Sequence, residues 1–179
     1  VYGDRSSEQR QVIILQGTDV PVVEFGIEQP RPTSPRVIVD NVEWWRIDPH
    51  TISDPIAWRD ARLNLEFEDL RHDSDVLIGD QIVSRTTANL TNKTGFGFYD
   101  IELYVVLKRG GSTIGVNRTV LSNLTAREER QFQLDWFGGS PTAQAVEVYP
   151  VVNLLDETVY LPEDVDPDKD RRDVERRRF

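Results

Sequence analysis

Between Asp164 and Glu175 the sequence sets oxygen-bearing side chains at Asp164, Asp166, Asp168 and Asp170 and a carboxylate at Glu175. A calcium loop takes ligands from positions 1, 3 and 5 and closes with a bidentate glutamate at position 12, so this spacing has the outline of a calcium site. Lys169 stands at position 6, where the sharp turn takes glycine, and Arg171 stands at the normally apolar position 8. No amphipathic helix leads into the loop, and nearby arginines oppose a cation. The simpler reading of 163–179 is a solvated, charge-mixed, flexible tail. Calcium is the one cofactor the residues leave open.

Asn89, Asn92, Asn117 and Asn123 each open an Asn-x-Thr triplet. In a glycosylating cell such triplets mark solvent-facing positions, although Asn/Thr-rich turns also produce them by chance. Trp44 and Trp45 are neighbours on an expected strand, so their rings point to opposite faces unless a second layer covers both. An exposed indole can stack on a sugar or anchor another domain. The plainer arrangement sets one ring in its own sandwich and the other against an adjacent domain.

Catalytic constellations are weak. His50 and His72 lie among aspartates without a zinc spacing and read as surface residues of polar loops. No serine or lysine sits in a nucleophile motif, and no glycine loop is built to cradle phosphate. Glu66 and Glu68 share a strand face, as residues on a solvated face do. The expectation is a protein that is not an enzyme.

The chain has 179 residues, a formal net charge of −10 and no cysteine. The acidity argues against nucleic acid as a partner. The missing cysteines exclude disulfides and thiolate metal sites. Methionine is absent even at position 1, which points to a signal or membrane anchor upstream of Val1. No apolar run is long enough to cross a bilayer, so any membrane contact would run through that anchor.

The elements carrying these residues are strands, because apolar residues recur at spacing two. The pattern predicts strands over 10–15, 20–28, 36–47, 61–70, 75–89, 98–108, 113–121, 130–136 and 143–153. Gly79-Asp80 is expected to break or bulge the fifth of these. Ile101, Leu103, Val105 and Leu107 form the clearest apolar face. Gly110-Gly111 supplies the positive φ angles of a tight hairpin. Three prolines between 29 and 35 mark a connector, and 49–58 reads as a linker. A weak repeat at an offset of about 107 residues aligns Phe25 with Phe132 and Ile27 with Leu134. If the repeat is real, 1–48 are the closing strands of a first, partial sandwich. Residues 59–162 then form a complete one.

Asn92-Lys93-Thr94, the strand Ile101 to Leu107, Arg109-Gly110-Gly111 and Leu124 to Glu128 with Phe132 follow one another in this order. This series resembles the FxLYD-type domains, small Ig-like modules of secreted and membrane-anchored prokaryotic proteins, over about a third of the chain. Arg127 occupies the glycine of the family's Gly-Glu step. The resemblance implies an Ig-like fold, a surface or envelope location and no catalytic residues. The expected fold is therefore an all-β, Ig-like antiparallel β-sandwich, in tandem with an incomplete first copy where the repeat holds. The expected function is a non-enzymatic extracytoplasmic module, on the cell surface or in a periplasm, that contacts a protein partner or assembles with itself. The alternative is a calcium- or carbohydrate-binding adhesion module.

Overall fold

Alternation along one strand decides the architecture. Ile101, Leu103, Val105 and Leu107 are each 0% exposed, and their row forms the centre of the core. The structure, a computed structural model, describes residues 14–23, 42–44, 46–137 and 142–162. Its elements are α1 (Pro55–Arg62), β1 (Leu65–Ile78), β2 (Gln81–Asn92), β3 (Gly97–Arg109), β4 (Ser112–Leu124), β5 (Glu129–Trp136), β6 (Ala145–Val151) and β7 (Tyr160–Leu161). They form an all-β antiparallel sandwich: one sheet runs β1-β2-β5, and the other runs β4-β3-β6 with β7 also on β3. Ala88, Leu90, Phe132 and Trp136 of the first sheet pack against the β3 row, Leu121 and Leu124 of the second.

Turn chemistry sets the registers. Gly110 and Gly111 both take positive φ (55° and 79°) between the paired Arg109 and Ser112, as a type I′ hairpin requires. Gly79-Asp80 is a second tight hairpin, with Gly79 at φ 60° and Ile78 paired to Gln81. This corrects the expectation of one long strand broken or bulged there. Glycine at the first central position turns the chain right round, as in a type II′ turn. Bulges do occur in β1, where register shifts fall between Glu68 and Arg71 and between Asp73 and Val76.

β6 and β7 lie in succession along one flank of β3, pairing with Glu102–Lys108 and with Gly97–Phe98. The chain between them bulges outward but returns Leu154 to the core at 3% exposed. Pro150 is tolerated in β6 because, among the described residues, that strand has a partner on one side only.

The last four residues of the segment read as a linker over 49–58 open helix α1. Asp54 caps α1, accepting from Ile56 N at 3.1 Å and Ala57 N at 3.0 Å, and Pro55 opens the first turn. Eight residues with none fully buried give too little apolar periodicity to announce a helix. α1 still docks: Trp58 packs on the core edge, and the Arg62 guanidinium lies 4.3 Å from the Trp58 ring centre and 5.0 Å from that of Phe96. Arg59 donates to the carbonyls of Gln16 at 3.0 Å and Gly17 at 3.2 Å, tying an upstream turn to the helix. Residues 14–15, 20–23, 42–44 and 46–47 are not in strands, against expectation. The remainder of the predicted half-sandwich over 1–48 lies outside the described residues.

Candidate functional site

Three surface features hold the side chains with chemistry to offer. The first is the β1–β2 hairpin, which is longer than the strand beside it. β5 ends at Trp136 opposite Ser84, whereas β1 and β2 continue through Val76–Val83, Leu77–Ile82 and Ile78–Gln81. Ile82 lies in the same row as Ser84, Thr86, Ala88 and Leu90, which face the core. Leu77 and Ile82 therefore extend the core-facing row past the end of β5, where they are 70% and 67% exposed. Phe137, immediately after β5, is 80% exposed at the same end. Leu77 and Ile82 are direct partners across the hairpin, and an exposed apolar pair of this kind marks a contact site more readily than scattered single residues do. Asp75 and Asp80 flank it and are exposed.

The second feature is an open hollow of about 660 Å³ at the first bulge of β1, lined by Asp69, Arg71, Thr87, Asn89, Gln131 and Gln133 among others. Asp69 takes φ 53°, a left-handed conformation that aspartate tolerates better than most residues. The rim is already partly satisfied internally. Asn89 donates to Asp69 Oδ2 at 3.1 Å, and Arg71 Nε donates to Thr87 Oγ1 at 3.2 Å. Arg85 grips Asp135 with two hydrogen bonds of 2.6 and 3.1 Å; the first of these holds the Asp135 carboxyl below its ordinary pKa. The third feature is Trp44, 88% exposed. Its expected companion Trp45 lies outside the described residues, as do Asp164, Asp166, Asp168, Asp170 and Glu175.

The four asparagines part company. Asn89 is exposed. Asn92, 1% exposed, does not occupy the solvent-facing position its triplet predicts. Its Nδ2 donates to Phe96 O at 2.8 Å and Thr125 O at 2.9 Å, while its Oδ1 accepts from Thr94 N and Oγ1 at 3.1 and 2.9 Å. It clamps the β2–β3 connection to the β4–β5 turn. Asn117 and Asn123 are half-buried, not freely solvent-facing; Asn117 donates to Asp135 O at 3.3 Å, linking β4 to β5. Asn123 sits at φ 52°, with its Oδ1 buried.

Beside the Asn92 clamp, Glu128 accepts from Thr125 N and Oγ1 at 2.7 and 2.8 Å and from Arg130 Nε at 2.6 Å. Burial pulls this carboxyl up, but the bonds from Arg130 and Thr125 together outweigh it and leave its pKa below the ordinary glutamate value. Arg127 takes φ 60°, a left-handed backbone that suits glycine better than arginine.

His72 is not a polar-loop residue. It lies within β1, half-buried, with its ring edge-on to Trp136 at 5.6 Å and its Nδ1 3.0 Å from Thr86 Oγ1. Alternation on a strand with two bulges hid this inward turn. His50 is exposed in a turn, where its backbone N–H donates to Asp48 Oδ1 at 2.9 Å. Among the described residues no group of three or more His, Asp or Glu is arranged to hold a metal ion, and no helix is long and apolar enough to cross a membrane.

These features define an antiparallel β-sandwich whose candidate contacts lie on its surface. Compared with models of known families, with characterised proteins and with solved structures, the chain matches none.

Proposed function

We propose that this chain is a non-enzymatic, extracytoplasmic structural and interaction module, Ig-like and related to the FxLYD-type domains, that holds a rigid shape and contacts a protein partner. The observation that carries this reading is the overhanging hairpin, where Leu77 and Ile82 leave the core row uncovered. A rigid sandwich that ends in exposed apolar rungs is built to be covered by something else. Photo-crosslinking tests it in the source cells, with a photoreactive residue at Leu77 and a control at the solvated Glu68. Adducts at position 77, absent at position 68 and found in the surface or envelope fraction, are the expected result. A purely cytoplasmic protein, or no adduct at either position, overturns it.

The adhesion alternative draws on Trp44, whose indole face is open to solvent and suited to stacking on a sugar ring. Its test is a glycan array probed with the intact chain and with Trp44→Ala, where hits that survive the substitution remove Trp44 from the site. Isothermal titration of calcium into the intact chain and into one lacking 163–179 tests the acidic loop. Equal heats end that idea.

A further inference from the structure

The hairpin end has a chemical complement within the same sequence. Residues 74–83 contain Asp75 and Asp80 and no Lys, Arg or His. The nearby cations already have partners: Arg71 lies 3.8 Å from Asp73, and Arg85 is held by Asp135 at 2.6 Å. Among the described residues the exposed Leu77–Ile82 rung is thus bordered by negative charge that no neighbouring cation pairs with, Asp75 accepting only from Ser74 Oγ at 3.0 Å. Segment 171–179 reads Arg-Arg-Asp-Val-Glu-Arg-Arg-Arg-Phe, with five arginines against two acids in a chain of net charge −10. It joins guanidinium groups, suited to carboxylates, with the apolar Val174 and Phe179. The basic residues elsewhere are more dispersed, no nine-residue stretch outside 169–179 holding more than two of them, and Lys93 is occupied by Glu66 at 2.7 Å while Arg118 lies 3.6 Å from Glu102.

Reach limits how much of the segment can dock on its own copy. β7 pairs with Gly97 and Phe98 at the start of β3, and Asn92 Nδ2 binds Phe96 O, so Pro162 leaves the sandwich beside the far end of β2. The hairpin turn is at the near end. β2 is 12 residues long, which separates the two poles by about 37 Å at ~3.4 Å per residue. Nine residue steps from Pro162 to Arg171 span at most about 32 Å even when fully extended. The backbone at Arg171 and Arg172 therefore stops short of the hairpin on its own sandwich, whereas Val174 and Arg176 to Phe179 lie far enough along to reach either copy, so only on a second molecule can all five arginines engage together.

We propose that segment 171–179 of one copy docks on the β1–β2 hairpin end of a second copy. Arginines face Asp75 and Asp80, and Val174 and Phe179 cover Leu77 and Ile82. Donor and acceptor sit at opposite poles, so the contact is heterologous and repeats head to tail instead of closing a two-fold dimer. This rests on the interaction-module reading above and names its partner.

Sedimentation velocity of the intact chain tests it, at about 20 mM and at about 500 mM salt, where screening of exposed charges differs strongly. Species that grow with concentration at low salt and fall back to monomer at high salt are expected. Leu77→Asp/Ile82→Asp removes the acceptor and Arg176→Glu/Arg177→Glu/Arg178→Glu removes the donor, so each alone is monomeric. An equal mixture of the two forms pairs and nothing larger, because one intact contact remains. Asp75→Lys/Asp80→Lys leaves the apolar rung in place and keeps the test open if the first acceptor variant misfolds. It is monomeric alone and assembles with the Arg→Glu form, whose charges it now matches. An intact chain that is monomeric at every concentration at low salt overturns the proposal. So does a mixture that stays monomeric, or assembly unchanged in the variants. A monomeric chain that still cross-links to a different protein through position 77 sinks only this proposal, whereas absence of any adduct sinks the broader reading.

Discussion

Trp136 Nε1 donates to Thr86 Oγ1 at 2.9 Å, joining β5 to β2 inside the core, and the same hydroxyl lies 3.0 Å from His72 Nδ1 on β1. One fully buried hydroxyl thus serves all three strands of the sheet. While accepting from the indole, it keeps both a proton and a second lone pair, so it can pair with Nδ1 as donor or as acceptor according to the His72 tautomer. Thr86→Val keeps the shape but leaves a buried indole N–H without its acceptor and removes the partner of Nδ1. It should cost about 2–3 kcal/mol, read from guanidinium unfolding, with near-UV circular dichroism showing a loosened Trp136. A loss below about 0.5 kcal/mol would mean the bond is not maintained in solution.

Burial holds the His72 pKa below its ordinary 6.5, with Asp73 opposing the shift. Above pH 6.5 the imidazole is neutral in both folded and unfolded chains and its contribution is fully present. As pH falls, the unfolded chain takes up the proton first, so stability declines from about pH 6.5 down through the lower folded-state value and then levels off. Thermal midpoints measured between pH 8 and pH 5 should show this fall in the intact protein and flatten in His72→Phe. Glu128, Asp135 and Glu147 also lose stability on acidification, but their folded pKa values lie below the ordinary carboxylate range, so their losses come at more acidic pH. Equal slopes in the two proteins near pH 6 would disprove the assignment.

Asn92 carries four hydrogen bonds at the corner between the β2–β3 connection and the β4–β5 turn. Asn92→Ala should destabilise by about 2–4 kcal/mol, because two carbonyls and a buried threonine lose their partner. Asn92→Asp should cost at least as much at neutral pH, since an oxygen then faces the carbonyls of Phe96 and Thr125. Its deficit should shrink in acid, where the protonated carboxyl can donate again. Denaturant melts of both variants at pH 7 and pH 4.5 provide the comparison, and a neutral effect of Asn92→Asp would refute the clamp.

Two strand glycines make a contrasting pair. A Cβ on Gly97 would lie 3.1 Å from the carbonyl oxygens of both Leu124 and Leu161, neither of which can move without disturbing β4 or β7. Gly97→Ala should therefore cost about 1–3 kcal/mol and expose β7 to faster amide exchange. At Gly115 the nearest neighbours are flexible or ring atoms, Leu107 Cδ1 and Trp136 Cζ3, both at 3.4 Å. Gly115→Ala should cost less than about 1 kcal/mol. The reverse order of stabilities would contradict the packing described.

Much of the framework can be read from short-range pattern. The β3 row Ile101, Leu103, Val105 and Leu107 follows from alternation alone, and Gly110-Gly111 identifies its own turn. Helix α1 escapes such reading because its evidence is a cap, Asp54-Pro55, and not an apolar stripe. The Gly79-Asp80 hairpin is harder still: a bulge and a two-residue turn share the same residue types, and only strand pairing separates them.

The candidate surfaces divide in the same way. Charge, the absence of cysteine, the alternating strands and the opposed acidic and basic halves of 163–179 are determined by the sequence itself, since each depends on residue identity or on neighbours along the chain. Whether Asn92 faces solvent or is a buried clamp, whether His72 faces solvent or Trp136, and whether Leu77 and Ile82 are core or surface were decided only by the tertiary structure. All three depend on where a distant strand stops or turns. β5 ends opposite Ser84, and that one termination, 52 residues along the chain from Ser84, turns a core row into an exposed one.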